Sequence, residues 1–321
     1  MDDHGAVTGP GGSGQALRRV VGELGGAGLL DVLADELPGS DLTTLLLEVF
    51  RRRAERLSPA DVLRRYRSDR FVAPATVDFA ALRRAEDAML GELPGGFETV
   101  VLAPVLPLGA HTAAAGVDPR NVVATIRATE VAADPTNGLA LEAAVRRGEL
   151  LRAAPRSAEP VRLAASQRVT RAQVFSGPVS FAHFQLLGVV TAGRDTGAHE
   201  FESRYLAEHV RFAADGLAAL GLDRVTIAVT CLNEPARRIL AATSAEFAGR
   251  RGVAVTEAPE RESARAYYRD LCFKVLADRG GSALEVGDGG FVDWTAKLLG
   301  NAKERMLISG FGIERLAFAS A

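Results

Sequence analysis

Two arginines stand where they could do chemistry. Arg171 lies in Thr170-Arg171-Ala172-Gln173 and Arg315 in Gly310-Phe311-Gly312-Ile313-Glu314-Arg315-Leu316. A guanidinium can hold a phosphate through two parallel charged hydrogen bonds, and an aromatic ring can hold a nucleobase by stacking. Phe184, on the strand expected to pair with that of Arg171, is the candidate ring. Gly310 and Gly312 read as a turn leading into a helix start, so Arg315 is a second candidate phosphate grip, with Gln173 beside the first. The lysines Lys274, Lys297 and Lys303 follow no GxxxxG loop, which excludes a Walker-type phosphate cradle.

The elements that must position these groups can be read from spacing and turn chemistry. Residues 1–14 are acidic and glycine-rich and read as a disordered start, neither secretory signal nor transit peptide. Residues 15–76 read as a helical module. Leu42, Leu45, Leu46 and Val49 mark one buried helix face, and Ser58-Pro59 is an N-cap followed by proline at the first helical position. Its arginines interleave with Glu55, Asp61 and Asp69, as on a solvated surface; an RNA-facing or partner-facing patch is the alternative.

Residues 77–321 read as the core. A helix carries Phe79, Leu82, Ala85 and Met89 on one face and ends at Pro94-Gly95-Gly96. A short β-rich run follows, then two strands between 160 and 195 around Ser176-Gly177-Pro178-Val179-Ser180. Helices over 201–220 and 234–250 flank the strand at 225–230. Strands at 267–276 and 282–287 precede a helix at 293–301. Paired strands with grouped helices give an α+β class, a mostly antiparallel sheet flanked by helices.

Composition bounds the rest. The 321 residues are 47% hydrophobic and 24% charged with a formal net charge of −2, ordinary for a globular chain and without global attraction for nucleic acid or anionic membrane. No apolar run reaches the roughly 20 residues that span a bilayer. Cys231 and Cys272 sit in apolar settings without CxxC spacing and read as core residues in a reducing cytoplasm. His4, His111, His183, His199 and His209 are scattered, against a structural zinc site.

The order of these pieces resembles the catalytic core of class II aminoacyl-tRNA synthetases over roughly residues 78–318. The stretch 95–106 resembles its first motif, with Pro104 at the motif proline. Arg171 and Phe184 match the α-phosphate arginine and adenine-stacking phenylalanine of the second, and Arg315 matches the γ-phosphate arginine of the third. The histidyl-tRNA synthetase group, with its tRNA-free paralogues, is the branch it resembles. Tyr267, Tyr268 and Phe273 match a Tyr-Tyr-x4-Phe element, and Gly289, Gly290 and Asp293 a Gly-Gly-x-x-Asp stretch. Asp134 and Thr136 fall where that group holds its substrate's amino group, although Asp-Pro is equally good helix-capping chemistry.

The chain also departs from the group. Gln173 replaces a glutamate, the positions that read histidine fall on the apolar Leu186 and Val190, and the catalytic arginine falls on Ser263, near Arg261 and Arg265.

The resemblance implies ATP and Mg²⁺, a homodimer, and activation of an amino acid or small carboxylic acid as an adenylate. The acceptor would be an amine or carrier protein, with tRNA disfavoured because the chain stops where an anticodon-binding domain would begin. A non-catalytic regulatory paralogue is the alternative. Glu200 and Glu202 are candidate Mg²⁺ donors or simply an acidic helix start. His183, beside the adenine position, reads as a satisfied core histidine or a site residue.

Overall fold

The computed structural model describes residues 10–173, 181–259 and 267–321. It opens with α1 (Pro10–Glu23), which already includes part of the expected disordered start. α2 (Gly28–Asp31) runs into a π-helical turn at Val32–Glu36, and α3 (Gly39–Ala54) and α4 (Pro59–Ser68) follow. α4 begins as its sequence requires: the Ser58 hydroxyl accepts from the Asp61 amide, the Asp61 carboxylate accepts from the Ser58 amide, and Pro59 takes the first position.

α3 corrects one expectation. The stripe Leu42, Leu45, Leu46 and Val49 is helical, yet no residue of α3 is buried, and Leu45 and Val49 are exposed. The 3.6-residue period fixes which side chains share a face. It does not supply a neighbour to cover that face.

α5 (Phe79–Gly91) is capped by Asp78, which accepts from the Ala80 amide, and buries Ala85 and Met89. Phe79, expected on that face, stands exposed at the helix start. Two short strands, β1 (Glu98–Thr99) and β2 (Val105–Pro107), precede α6 (Ala110–Ala115). Then come β3 (Thr129–Val131), α7 (Pro135–Ala153), β4 (Val161–Thr170), β5 (His183–Arg194) and α8 (Glu200–Ala219). β6 (Val225–Cys231), α9 (Ala236–Phe247), β7 (Val253–Glu257), β8 (Tyr268–Arg279) and β9 (Ser282–Val292) follow. α10 (Trp294–Leu299), β10 (Glu304–Gly312) and α11 (Ile313–Ala319) complete the chain.

Eight strands form one sheet in the order β1-β4-β5-β10-β9-β8-β6-β7. Pairing is antiparallel except at the margins, where β1 runs parallel to β4 and β7 parallel to β6. β2 and β3 pair separately. The class is α+β with a mostly antiparallel sheet flanked by helices, as the sequence indicated.

One face of the sheet is sealed by α5, α8, α9 and α11 over Leu187, Val189, Phe273, Leu307 and Phe311. The other is covered in part by α6, α7 and α10 over Leu163, Val190, Tyr268 and Ile308. The uncovered remainder of this second face holds the candidate site.

Gly310 and Gly312 are therefore not a turn. They lie on the central strand β10, hydrogen-bonded to β5 on one side, with Gly310 also paired to β9 on the other. Strand alternation sends Phe311 into the sealed core and leaves Gly310 and Gly312 together on the open face. Residues 174–180, where the sequence suggests a turn between two strands, and the stretch with Arg261, Ser263 and Arg265 lie outside the described residues.

Candidate functional site

The floor of the site is made by register. Gly310 pairs with Gly188 of β5 and with Asp288 of β9, and Gly312 pairs with Leu186, so these residues and Phe184 share one face. A Cβ added to Gly310 would meet nothing within 4 Å, so neither backbone nor packing demands glycine there; its bareness opens the floor. Gly188 differs. A Cβ there would come within 2.9 Å of Pro135 Cγ, so the missing side chain lets the start of α7 settle on the sheet.

α7 in turn places Asp134. This residue caps the helix, its Oδ1 accepting from the Thr136 amide at 2.9 Å and the Thr136 hydroxyl at 2.7 Å. Its Oδ2 accepts from Arg171 Nη2 at 3.0 Å, while Arg171 Nε donates to the Ala133 carbonyl at 2.9 Å. The Arg171 guanidinium also lies 5.2 Å from the Phe184 ring centroid, within cation–π range.

The peptide that carries this pair is held from behind by His111, which is fully buried. His111 Nε2 accepts from the Ala133 amide at 3.0 Å, and Nδ1 donates to Glu130 at 2.5 Å. Burial pushes the Glu130 carboxyl up. Hydrogen bonds from the His111 and Gly109 amides and from the His111 ring outweigh this and hold it below the ordinary glutamate value.

Two clefts open over the floor. The first, of about 210 Å³, holds Phe184, Gly312 and Arg315. Arg315 donates to the Glu285 carbonyl at 3.2 Å, and its neighbour Glu314 accepts from the Gln185 amide and from Arg168. The second, of about 240 Å³, holds Thr136, Gln173, Tyr267 and Tyr268. Asp134, Arg171, Asp288 and Gly310 line both.

Most sequence candidates thus converge, with corrections in detail. Gln173 lies in the second cleft, away from Phe184 and Arg315, and its carbonyl accepts from Arg70 Nη1 at 3.3 Å. In the strand expected over 267–276, alternation would put Tyr267 and Tyr268 on opposite faces, with at most one lining a pocket. Both line the second cleft, because Tyr267 precedes β8 and the strand is irregular between Arg269 and Cys272; their rings lie 4.3 Å apart.

Gly289 and Gly290 line neither cleft. A Cβ on Gly290 would stand 2.6 Å from the Tyr268 ring, and one on Gly289 would press into Phe273 and the Ile308 carbonyl. Packing explains both. Asp293 pairs with Arg269 and Lys297 outside the clefts.

Glu200 and Glu202 also fall elsewhere. α8 belongs to the sealed side, where Glu200 accepts from Thr196 and the buried Glu202 pairs with Arg305. His183 is satisfied: Nδ1 accepts from Arg168 at 2.8 Å and Nε2 donates to the Ala73 carbonyl at 2.7 Å. Cys272 is buried and Cys231 partly so.

No family model matches the chain, and no curated protein matches it by sequence. Solved structures do match. Histidyl-tRNA synthetase from S. aureus is 13% identical at a TM-score of 0.53, covering 75% of this chain and 65% of its own. A histidine–tRNA ligase subunit from Alicyclobacillus acidocaldarius is 15% identical at 0.56, covering 78% and 95%. An ATP phosphoribosyltransferase regulatory subunit/histidyl-tRNA synthetase from Bacillus halodurans is 13% identical at 0.56, covering 77% and 82%. The fold is that of a class II aminoacyl-tRNA synthetase catalytic core. The chain spans just under two thirds of the S. aureus enzyme.

Within this synthetase fold, sequence reasoning passed over Asp288, His111, Asn137 and Trp294, all of which line the second cleft. Asp288 had a readable signal. It stands one residue before the glycine pair at 289–290, in the strand phase that faces the site. His111 and Glu130 gave none, because residues nineteen apart meet only once β2 and β3 have paired.

Proposed function

We propose that the protein is an ATP-dependent ligase that activates an amino acid or small carboxylic acid as its adenylate and passes it to an amine or a carrier protein. One observation carries this reading. A cleft lined by an aromatic ring, a bare glycine floor and Arg315 shares an edge with a second small cleft, and Arg171 stands on that edge.

In this reading adenine stacks on Phe184, the backbone at Gly310 and Gly312 lets the nucleotide lie close to the sheet, and Arg171 and Arg315 hold the α- and γ-phosphates. A carboxylate oxygen from the second cleft attacks the α-phosphorus. The bond from that phosphorus to the oxygen bridging to the β-phosphate breaks, and pyrophosphate leaves. The chain's contribution is positioning and charge stabilisation.

Mg²⁺ fits this site as a phosphate-borne ion. Among the described residues no cluster of three acidic, histidine or cysteine side chains could hold a metal. Glu285 and Asp288 would contribute one or two carboxylate ligands, the usual share for Mg²⁺ on a nucleotide. When bound, the ion neutralises phosphate charge.

The same reading makes residues 15–76 a helical module on a core of 77–321 and the protein a cytoplasmic homodimer. No helix of the described residues is long and apolar enough to cross a membrane. β1 is an edge strand, and Val101 and Leu108 after it are exposed, a surface suited to a two-fold partner.

A second reading, a non-catalytic regulatory paralogue, draws on the contacts of Arg171. It grips Asp134 and the Ala133 carbonyl and lies over Phe184, so the candidate phosphate and adenine grips hold one another. Calorimetric titration with Mg²⁺-ATP separates the readings. The ligase requires binding that is weakened in both Arg171→Ala and Phe184→Ala; undetectable binding to the folded protein favours the regulator.

A further inference from the structure

β4 ends at Thr170, so the segment that carries Arg171 has already left the sheet. Its amides are tied inward: that of Arg171 donates to the Ala182 carbonyl at 2.8 Å and that of Ala172 to the Asn121 carbonyl at 3.0 Å. Two of its carbonyls meet the N-terminal module. Arg70 donates from Nη2 to the Ala172 carbonyl and from Nη1 to the Gln173 carbonyl at 3.3 Å.

Arg70 sits in a tight turn after α4. Asp69 Oδ1 accepts from the Phe71 amide at 2.9 Å, and the Asp69 carbonyl accepts from the Val72 and Ala73 amides at 3.2 Å each. The Arg70 guanidinium lies 4.3 Å from the Phe71 ring centroid, which steadies its direction. The last residue of the turn makes a second contact: the Ala73 carbonyl accepts from His183 Nε2 at 2.7 Å. His183 pairs with Thr170 across β4 and β5 and directly precedes Phe184. Its Nδ1 accepts from Arg168, which also pairs with Glu314, the neighbour of Arg315. One turn thus reaches the flanks of Arg171, Phe184 and Arg315. α2, α3 and α4 bury no residue, so these polar contacts are not set by helices packed into the core.

We propose that Arg70 is a positioning residue for the candidate site. The turn Asp69–Ala73 clasps the chain at Ala172–Gln173 and at His183, and so sets the reach of Arg171 towards a phosphate and the plane of Phe184 against a base. The N-terminal module is then part of the machinery of the site rather than a cover over the core. This inference rests on the ligase reading for what is positioned; the clasp itself belongs to the free chain. Arg70 is exposed, so its hydrogen bonds add little to folding, and their effect falls on the segment they hold.

The test uses the full chain with Arg70→Ala, Arg70→Lys and, as a control, Arg67→Ala, an exposed arginine in the last turn of α4. Hydrogen exchange is followed by mass spectrometry without ATP, and Mg²⁺-ATP is titrated by calorimetry. In Arg70→Ala the Arg171 and Ala172 amides should exchange at least about tenfold faster, with α8 unchanged. ATP affinity should fall about three- to tenfold, the worth of one net hydrogen bond, with the melting temperature within about 4 °C of the wild type. A mere tether for the module would leave ATP affinity where it was. Arg70→Lys, able to reach one carbonyl, should recover part of both losses, and Arg67→Ala should show neither. Unchanged exchange in Arg70→Ala overturns the clasp, and faster exchange with unchanged ATP affinity overturns the positioning role. A wild type that binds no ATP removes the ligase reading instead, and the exchange measurement still decides the clasp.

Discussion

Arg171 donates from Nη2 to Asp134 Oδ2 at 3.0 Å, and this pair stands where the two clefts meet. Its supports come from distant parts of the chain. Gly188 lets the start of α7 approach the sheet, and His111 and Glu130 fix the peptide at Ala133 that both residues use. Both partners of the pair are about 30% exposed, so the contact itself adds little to folding.

Arg171→Ala should therefore separate binding from stability. We expect ATP affinity to fall by about 10- to 100-fold, the loss of a charge-assisted pair of hydrogen bonds. The melting temperature should move by no more than about 4 °C. Arg171→Lys should recover only part of the affinity, because an ammonium cannot offer the two-pronged geometry. Calorimetry and a thermal melt on the same preparations check both statements.

Gly310→Val tests the bare floor. The new side chain enters open space on a strand that valine suits, so folding should be unchanged while ATP affinity drops at least about tenfold. Gly188→Val is the contrast. It collides with Pro135 and should cost about 1–3 kcal/mol of stability, read by urea unfolding.

These two glycines also mark what the sequence could and could not reveal. Local periodicity placed β4, β5, α8 and α9 within a few residues, and strand pairing with grouped helices gave the α+β class. The glycine motif read as a turn because glycine is the commonest turn residue. Only its pairing on both sides shows it to be the middle of a sheet. Arg171, Phe184 and Arg315 were legible as candidates because arginine and phenylalanine are the residue types that could grip a phosphate or stack on a base, and all three line the first cleft. Trp294 was not, since an indole after a glycine-rich strand gains meaning only from what faces it. The exposed stripe of α3 failed for a related reason: the sequence states that a face is apolar but not what will cover it.

Val101→Arg combined with Leu108→Glu tests the dimer surface. Both side chains are exposed, Val101 shortly after β1 and Leu108 directly after β2, so the substitutions should leave the fold intact and convert a dimer to a monomer in light scattering. A mass unchanged from the wild type would place any two-fold contact elsewhere.

His209 gives the fold a pH dependence. It is fully buried between Thr191 Oγ1 at 3.0 Å and Ser309 Oγ at 2.7 Å, and burial pulls its pKa down to about 3 from 6.5. The unfolded chain then binds a proton that the folded one refuses between those values. This contribution to stability is complete above about pH 6.5 and is lost on acidification towards 3, at up to about 1.4 kcal/mol per pH unit. Urea titrations from pH 7.5 to 4.5 should show this slope, and His209→Gln should flatten it.

ATP–pyrophosphate exchange in the presence of Mg²⁺, screened across the amino acids and a set of small carboxylic acids, tests the central claim most directly. Adenylate formation requires exchange that depends on one acid and disappears in Arg171→Ala. Absence of exchange with every acid, from a folded protein that binds ATP, would contradict it.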